Sequence, residues 1–542
     1  MQKPNILQKD YTNLPSYYQL KLPIEKEYLI PADDPVRLLS AFVEGMDLSE
    51  LYATYDRIRK NQATPRQLLK IVLYANMNGI RSSRAIERAC RRDINFMYLL
   101  EGQPVPDNAT IARFISIHVA ACSKDLITSM VSFLKDAGEI SGKTIFIDGT
   151  KIEANANRYT FVWKKAVTKN QAKLFAKIED FVAECEGSFA VKVVHNGEIT
   201  RHTLTRLKEE LNALCNKENI TFVSGKGQRK SPLQRSIETL DGYTARLDDY
   251  KEKLKICGSR NSFSKTDHDA TFMRMKEDHM KNGQLRPAYN LQHGVDAQYI
   301  TWVDISPSPT DTKTLIPFLK DMEDHLPFKY KEIVADAGYE SEETYAFLEN
   351  NHQDAYIKPN NYEISKTRKY RADISRKENM YYDSKNDCYI CRNGKTLNAK
   401  YSRGRRTATG YERITTVYEC YDCSECPYKA DCIKGNHWKT PEELRYKKIE
   451  ISKQLELLRA KDLERITSDY GTKLRMNRSI QAEGSFAVLK EDMGFRQYLY
   501  RNKDNVLAES VLAAMSYNIN KLHFKIQAGR TGSYLCELKE TG

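Results

Sequence analysis

The sequence predicts an α/β protein, a mixed sheet flanked by helices, preceded by an all-helical N-terminal region. Three observations predict it. Short apolar, β-rich runs alternate with helical stretches from Lys143 onward, apolar residues elsewhere recur at three-and-four spacing, and the 542 residues exceed any single small module. Hydrophobic residues make up 41% and charged residues 29%, which supplies packed cores and excludes general disorder. Lys and Arg number 85 against 72 Asp and Glu, and the resulting charge of +13 favours an anionic partner such as nucleic acid over a neutral metabolite.

The opening segment lacks the basic-then-apolar run of a signal peptide, and no stretch approaches the roughly 18 apolar residues of a membrane span. A cytoplasmic, nucleoid-associated protein with no membrane partner is expected. From Pro31 to Ser123 the pattern is helical. Thr64-Pro65 followed by Leu68, Leu69, Val72 and Leu73 reads as an N-cap, a first-turn proline and a helix buried on one face, which Gly79 is placed to end. Ser82 or Ser83 then starts a helix carrying Arg84, Arg88, Arg91 and Arg92, and Asp107 or Asn108 caps another with Arg113 near its start. Helix, tight turn and basic helix suits DNA binding; a solvated basic face accounts for the residues equally well.

Thr144-Ile145-Phe146-Ile147-Asp148-Gly149 reads as a central strand with an acidic tip. Three helical stretches follow, marked by Leu174, Ile178 and Phe181, by Leu204, Leu207 and Leu211, and by Leu233, Ile237 and Leu240, with the basic loop Gly225 to Lys230 between two of them. Tyr289 to Val295 and Tyr299 to Asp304 read as an antiparallel pair, Asp311 to Leu326 as a helix, and Ile333 to Asp336 as a second acidic-tipped strand. Ser341 to Asn350 and Ala355 to Ile357 continue the alternation as helix and strand. After a cysteine-rich segment, Thr440-Pro441-Glu442-Glu443 has the composition of a helix start, and helices run to about His523.

DNA processing without a covalent intermediate needs two or three carboxylates converging on Mg²⁺. Asp148 and Asp336 are the strand-tip candidates, each followed by small residues that leave room for a phosphate backbone; turn capping is the competing reading. On the last helical stretch, Glu483 shares a largely apolar stripe with Ile480, Phe486, Ala487 and Lys490 and needs a partner, either a cation such as Lys490 or Arg478 or a metal.

Phe146-Ile147-Asp148-Gly149-Thr150-Lys151, Asp336-Ala337-Gly338-Tyr339 and Glu483-Gly484-Ser485-Phe486 with Lys490 resemble the DDE transposases of bacterial insertion sequences, most closely insertion-sequence family 1182. The resemblance extends through Val105 to Phe114, Asp267 to Met273 and Tyr289-Asn290-Leu291-Gln292. It implies an RNase H-like core in which Asp148, Asp336 and Glu483 hold two Mg²⁺ (or Mn²⁺) ions. It further implies nicking of DNA at terminal inverted repeats, attack of the freed 3′-hydroxyl on target DNA, and a homodimer on double-stranded DNA. Related enzymes often carry Arg four residues before this Glu. Here Ser479 holds that position and Arg478 is the nearest arginine, so the resemblance carries Glu483 and Lys490, a phosphate contact, further than Arg478. It assigns no chemistry to Asp267 or Asp269.

Cys420, Cys423, Cys426 and Cys432 place four thiols in thirteen residues, with Cys388 and Cys391 upstream. In so polar a segment this density points to one structural Zn²⁺, with reduced free thiols as the alternative. The expected organisation is 1–140 helical and DNA-binding, 141–160 the first part of the core, 161–265 a helical insertion, 266–360 the second part of the core, 361–440 the cysteine-rich insertion and 441–542 the helical part bearing Glu483. The reading that competes from another class is a catalytically silent DNA-binding protein derived from a transposase; a third is an RNase H-like nuclease or resolvase.

Overall fold

Capping residues set the N-terminal helices. A computed structural model describes residues 29–192, 200–225, 227–276, 280–434 and 440–537. The opening segment, Lys226 of the basic loop and the last five residues lie outside them. Asp34 caps α1 (Pro35–Gly45), and α2 (Ser49–Ala53) follows. Thr64 and Gln67 cap α3 (Pro65–Met77) reciprocally, and Gly79 leaves it at φ +68°, where a side chain would be strained. Ser82 caps α4 (Ser83–Arg92), Asp93 caps α5 (Ile94–Leu99) and Asp107 caps α6 (Asn108–Arg113). A π-helical turn, Phe114–Val119, carries α6 into α7 (Ala120–Asp136). Contrary to the expectation from composition, the helical run Asn108–Asp136, kinked at Cys122, is long and apolar enough to cross a bilayer. Its Leu126, Ile127, Met130, Val131 and Leu134 are instead buried in the protein's main core.

β1 (Thr144–Glu153) is the central strand of a mixed sheet. It runs five residues past Asp148, so that aspartate stands mid-strand rather than at a tip. β2 (Phe161–Trp163) and β3 (Ser262–Ser264) pair antiparallel at the base of a helical excursion, α8 (Lys164–Phe189), α9 (Arg201–Lys217) and α10 (Pro232–Cys257). Leu174, Ile178, Leu207, Leu211, Ile237 and Leu240 give those helices an apolar cluster of their own. β4 (Thr271–Arg274) and β6 (Tyr299–Ser306) both pair with one edge of β5 (Leu285–Asp296), whose other edge pairs antiparallel with β1. On the far side of β1, β7 (Glu332–Ala335) and β8 (Asp354–Ile357) run parallel to it. α11 (Leu315–His325) and α12 (Glu342–Asn350) connect these last strands.

Short helices α13 (Tyr362–Ser365) and α14 (Arg368–Arg371) lead to a second sheet with strand order β13-β12-β11-β10-β9. It comprises β9 (Tyr381–Asp383), β10 (Cys388–Ile390), β11 (Thr396–Arg406), β12 (Glu412–Cys420) and β13 (Lys447–Ile451), with α15 (Lys429–Cys432) before the last. Two expectations change here. The cysteine-rich segment does bury a small core, formed by Met380, Leu397, Tyr418, Cys420, Cys423 and Ile451. Thr440 to Glu443 opens no helix: a 3-10 turn and β13 intervene, and helices resume at α16 (Lys453–Thr467).

α17 (Asp469–Arg478), a π-helical turn over Ser479–Glu483, α18 (Gly484–Glu491) and α19 (Lys503–Gln527) complete the fold. α16 meets α17 so closely that a Cβ on Gly471 would lie 2.0 Å from the Arg465 carbonyl oxygen. α19 is buried on nearly all sides from Val506 to Ile519 and packs on β6, α3 and α7. Asn518 exchanges two 2.8 Å hydrogen bonds with the Ile300 backbone of β6, and Ser516 donates to the Leu73 carbonyl of α3 at 3.0 Å.

Candidate active site

Strand register brings the first two carboxylates together. β1 and β7 pair in parallel up to Ile147 and Ala335, so the next residues, Asp148 and Asp336, sit side by side where the two strands part. Beyond this point β7 turns into the 3-10 segment Ala337–Tyr339, which Asp336 caps by accepting from the Gly338 amide at 2.8 Å. Asp336 thus caps a turn and also stands beside Asp148. Asp148 accepts from the Gly149 amide at 2.9 Å.

Glu483 arrives from the π-helical turn. Its stripe with Ile480 and Ala487 faces outward, with Ile480 46% exposed and the Glu483 side chain 51% exposed, so the expected burial is corrected. The buried stripe of these helices is Leu474, Asn477, Gln481, Ser485 and Leu489. The π turn also changes which positions align along the helix. About 4.4 residues per turn align positions five apart, as an α-turn aligns positions four apart. Arg478 accordingly donates to Glu483 Oε1 at 2.6 Å, while its other terminal nitrogen stands 3.6 Å from Asp148 Oδ2. Ser479 Oγ donates to the second Glu483 oxygen at 3.1 Å. The arginine that the sequence comparison left in the background is therefore the cation that joins the carboxylates.

Burial pushes the Asp148 carboxyl up to about 7; the Arg478 charge opposes the rise, while Asp336 and Glu483 add to it. The Asp336 carboxyl is likewise raised, chiefly by burial, with Asp311 and Glu483 contributing. Asp311 is the carboxylate that sequence reasoning missed, having read it only as a helix start. It accepts from Asn290 Nδ2 at 2.7 Å and Gln292 Nε2 at 3.1 Å, and Gln292 Oε1 accepts from the Tyr339 hydroxyl at 2.5 Å and Thr314 Oγ1 at 3.1 Å. The Tyr289 to Gln292 and Asp336 to Tyr339 motifs are thus halves of one network behind the acidic pair. Gly149 is required by that network, because a Cβ there would fall 2.3 Å from Gln292 Nε2 and 3.0 Å from both Asp311 Oδ1 and the Tyr339 hydroxyl.

Lys490 Nζ donates to Thr150 Oγ1 at 2.5 Å, on the same face of β1 as Asp148. His293 lies opposite Asp148 in register and stacks on Phe486 with ring centroids 4.2 Å apart, which docks α18 onto the sheet. Burial, with Lys490 adding, lowers the His293 pKa to about 3, and neither ring nitrogen has a hydrogen-bond partner among the described residues. Asp267 and Asp269 are structural. Asp267 accepts from the Tyr289 hydroxyl at 2.9 Å, and Asp269 accepts from the Lys503 amide at 3.0 Å at the start of α19.

Arg84, Arg88, Arg91, Arg92 and Arg113 are exposed, and among the described residues only Arg91 forms an ion pair, with Glu87 at 2.9 Å. Glu87 also accepts from the amide and side chain of Asn108, docking α6 on α4 and placing these arginines on neighbouring helices. Among the described residues no three Asp, Glu, His or Cys side chains are gathered closely enough to hold a metal ion as they stand. This includes the thiols, where Cys423 Sγ donates to the Cys420 carbonyl at 3.2 Å and Cys391 joins both in one apolar cluster. Cys388 is drawn off into β10, between Asp383 and Asn398.

Residues 390–523, which include Cys391, Cys420, Cys423, Cys426, Cys432 and Glu483, match the family model described as a transposase DDE domain. Residues 24–116, which include α4, match the transposase domain model DUF772. No curated protein and no solved structure matches the chain. The two matches support transposition by a DDE protein, with DNA as the partner.

Proposed function

We propose that the chain is a transposase that nicks DNA at the ends of an insertion sequence and joins the freed 3′-hydroxyls to target DNA, with Asp148, Asp336 and Glu483 as its catalytic carboxylates. The observation that carries the reading is the convergence of three carboxylates, from β1, the end of β7 and the α17–α18 junction, around a single arginine. A central β1, antiparallel to β5 and parallel to β7, supports an RNase H-like core. The donors are all carboxylate oxygens, only partly neutralised by Arg478, and so suit Mg²⁺ or Mn²⁺. Two such ions, when bound, would activate water and stabilise the leaving oxygen in phosphodiester hydrolysis. Asp148 and Asp336 provide the fixed half of the site, held by strand register and by the Gln292–Tyr339 network, and Glu483 the half that the more exposed π turn presents. Lys490 is positioned for a DNA phosphate beside Asp148, and the α4 arginines with Arg113 take backbone phosphates further out.

Asp148→Asn, Asp336→Asn and Glu483→Gln keep shape and remove charge. Each should reduce Mg²⁺-dependent nicking and joining of end-bearing DNA to background while leaving DNA binding within about twofold. Glu491→Gln should stay active, since that carboxylate pairs with Arg496 away from the acidic pair. A wild-type protein that binds the ends and never cuts them, with Mg²⁺ or Mn²⁺, would instead be a silent DNA-binding protein.

The proposal extends to one structural Zn²⁺ on thiols drawn from Cys391, Cys420, Cys423, Cys426 and Cys432. Protein purified without added zinc should hold about one equivalent per chain, reduced by Cys423→Ser and unaffected by Cys388→Ser. Full occupancy after all five thiols are replaced would exclude them as ligands.

A further inference from the structure

We infer that Arg478 is the resident cation of the catalytic site, and that a divalent ion binds there only by displacing its guanidinium, which DNA phosphates then receive. This rests on the carboxylate assignment proposed above. One guanidinium reaches across the site, 2.6 Å from Glu483 and 3.6 Å from Asp148, and its charge acts on Asp336 as well. The Arg478 side chain is only 17% exposed, so its charge is poorly screened. Four carboxylates, counting Asp311, meet at this place, and among the described residues Arg478 forms ion pairs with two of them. A buried or half-buried carboxylate cluster needs such a counter-charge. As the side chains stand, the carboxylates are not gathered as metal ligands, and the arginine lies between them.

Two consequences follow from charge alone. Without DNA, a metal ion must break the Arg478 contacts to Asp148 and Glu483 and leave a partly buried guanidinium without an anion. With DNA present, the backbone offers that anion, because arginine binds phosphate in the same forked geometry as carboxylate. Metal and DNA therefore bind with positive coupling, and each tightens the other by the same factor.

Mn²⁺ binding to the full-length protein, followed by the electron paramagnetic resonance signal of the free ion with and without end-bearing duplex DNA, tests this directly. Arg478→Gln should tighten Mn²⁺ binding at least tenfold without DNA and abolish the further tightening that DNA gives the wild type. Arg478→Lys should retain part of the coupling, and Arg475→Gln, from the same helix turn but stacked over Tyr362, should behave as wild type. Unchanged or weaker Mn²⁺ binding by soluble, folded Arg478→Gln overturns the inference. If that variant does not fold, a wild type whose Mn²⁺ affinity is the same with and without DNA overturns it equally. Mn²⁺ binding that survives Asp148→Asn with Glu483→Gln would show that the carboxylate assignment, and not the arginine's role, is at fault.

Discussion

Asp148 and His293 face each other across β1 and β5, and their shifts make stability depend on pH in opposite senses. The Asp148 carboxyl sits near 7 in the fold against about 3.9 when unfolded. Between those values the native state holds the extra proton, so this group lowers stability as pH rises from about 4 to 7. His293 sits near 3 in the fold against about 6.5 unfolded, so it lowers stability as pH falls from about 6.5 to 3. The effects are worth up to about 4 kcal/mol for Asp148 and about 5 kcal/mol for His293 over their windows, treated as isolated. Urea denaturation of metal-free protein across this range should show the two limbs separately: Asp148→Asn should remove the loss towards neutral pH, and His293→Phe the loss towards acid. A profile unchanged by either variant would show that these groups do not titrate with folding. Above pH 7, Mg²⁺ or Mn²⁺ should bind more tightly than at pH 6, because ion and proton compete for the same Asp148 oxygens.

At the scale of elements, the turn between α16 and α17 decides where Arg478 and Glu483 come to rest. Gly471→Ala would drive a methyl into the Arg465 carbonyl, and backbone cannot yield as a side chain can. A loss of about 1–3 kcal/mol is expected, measured by thermal unfolding, with nicking falling further than stability because α17 is displaced. The same scale explains what the sequence could and could not disclose. Helix starts at Thr64, Ser82 and Asp107 were legible because capping is a local signal, and the strands around Asp148 and Asp336 because their cores are continuous apolar runs. β11 was not, since it is exposed on both faces for most of its length and carries no alternation to read. The outward turn of Glu483 and its alignment with Arg478 depend on a π turn that α-helical periodicity cannot foretell. Asp311 became visible only through its hydrogen bonds to Asn290 and Gln292.

Across the whole molecule, cores are shared unevenly. The α8–α10 excursion keeps its own apolar cluster and returns through the β2–β3 pair. Replacing residues 165–260 with a short Gly-Ser linker should leave a protein that unfolds cooperatively, with Tm lowered by a few degrees and the Asp148 site able to bind Mn²⁺; an insoluble or molten product would show that the excursion supports the main sheet. The opposite holds for α19, whose faces complete the packing of α3, α7 and β6 together. Translation at roughly 5–20 residues per second leaves roughly 20–85 s between the emergence of α3 and that of α19. For that interval the apolar faces of the N-terminal helices wait on the ribosome without their final neighbour, within reach of chaperones, while Glu483 itself emerges only shortly before α19. Order of synthesis therefore keeps the nascent chain incompletely packed until α19 has been made, and a premature stop anywhere before α19 forfeits the N-terminal layer along with the C-terminal one.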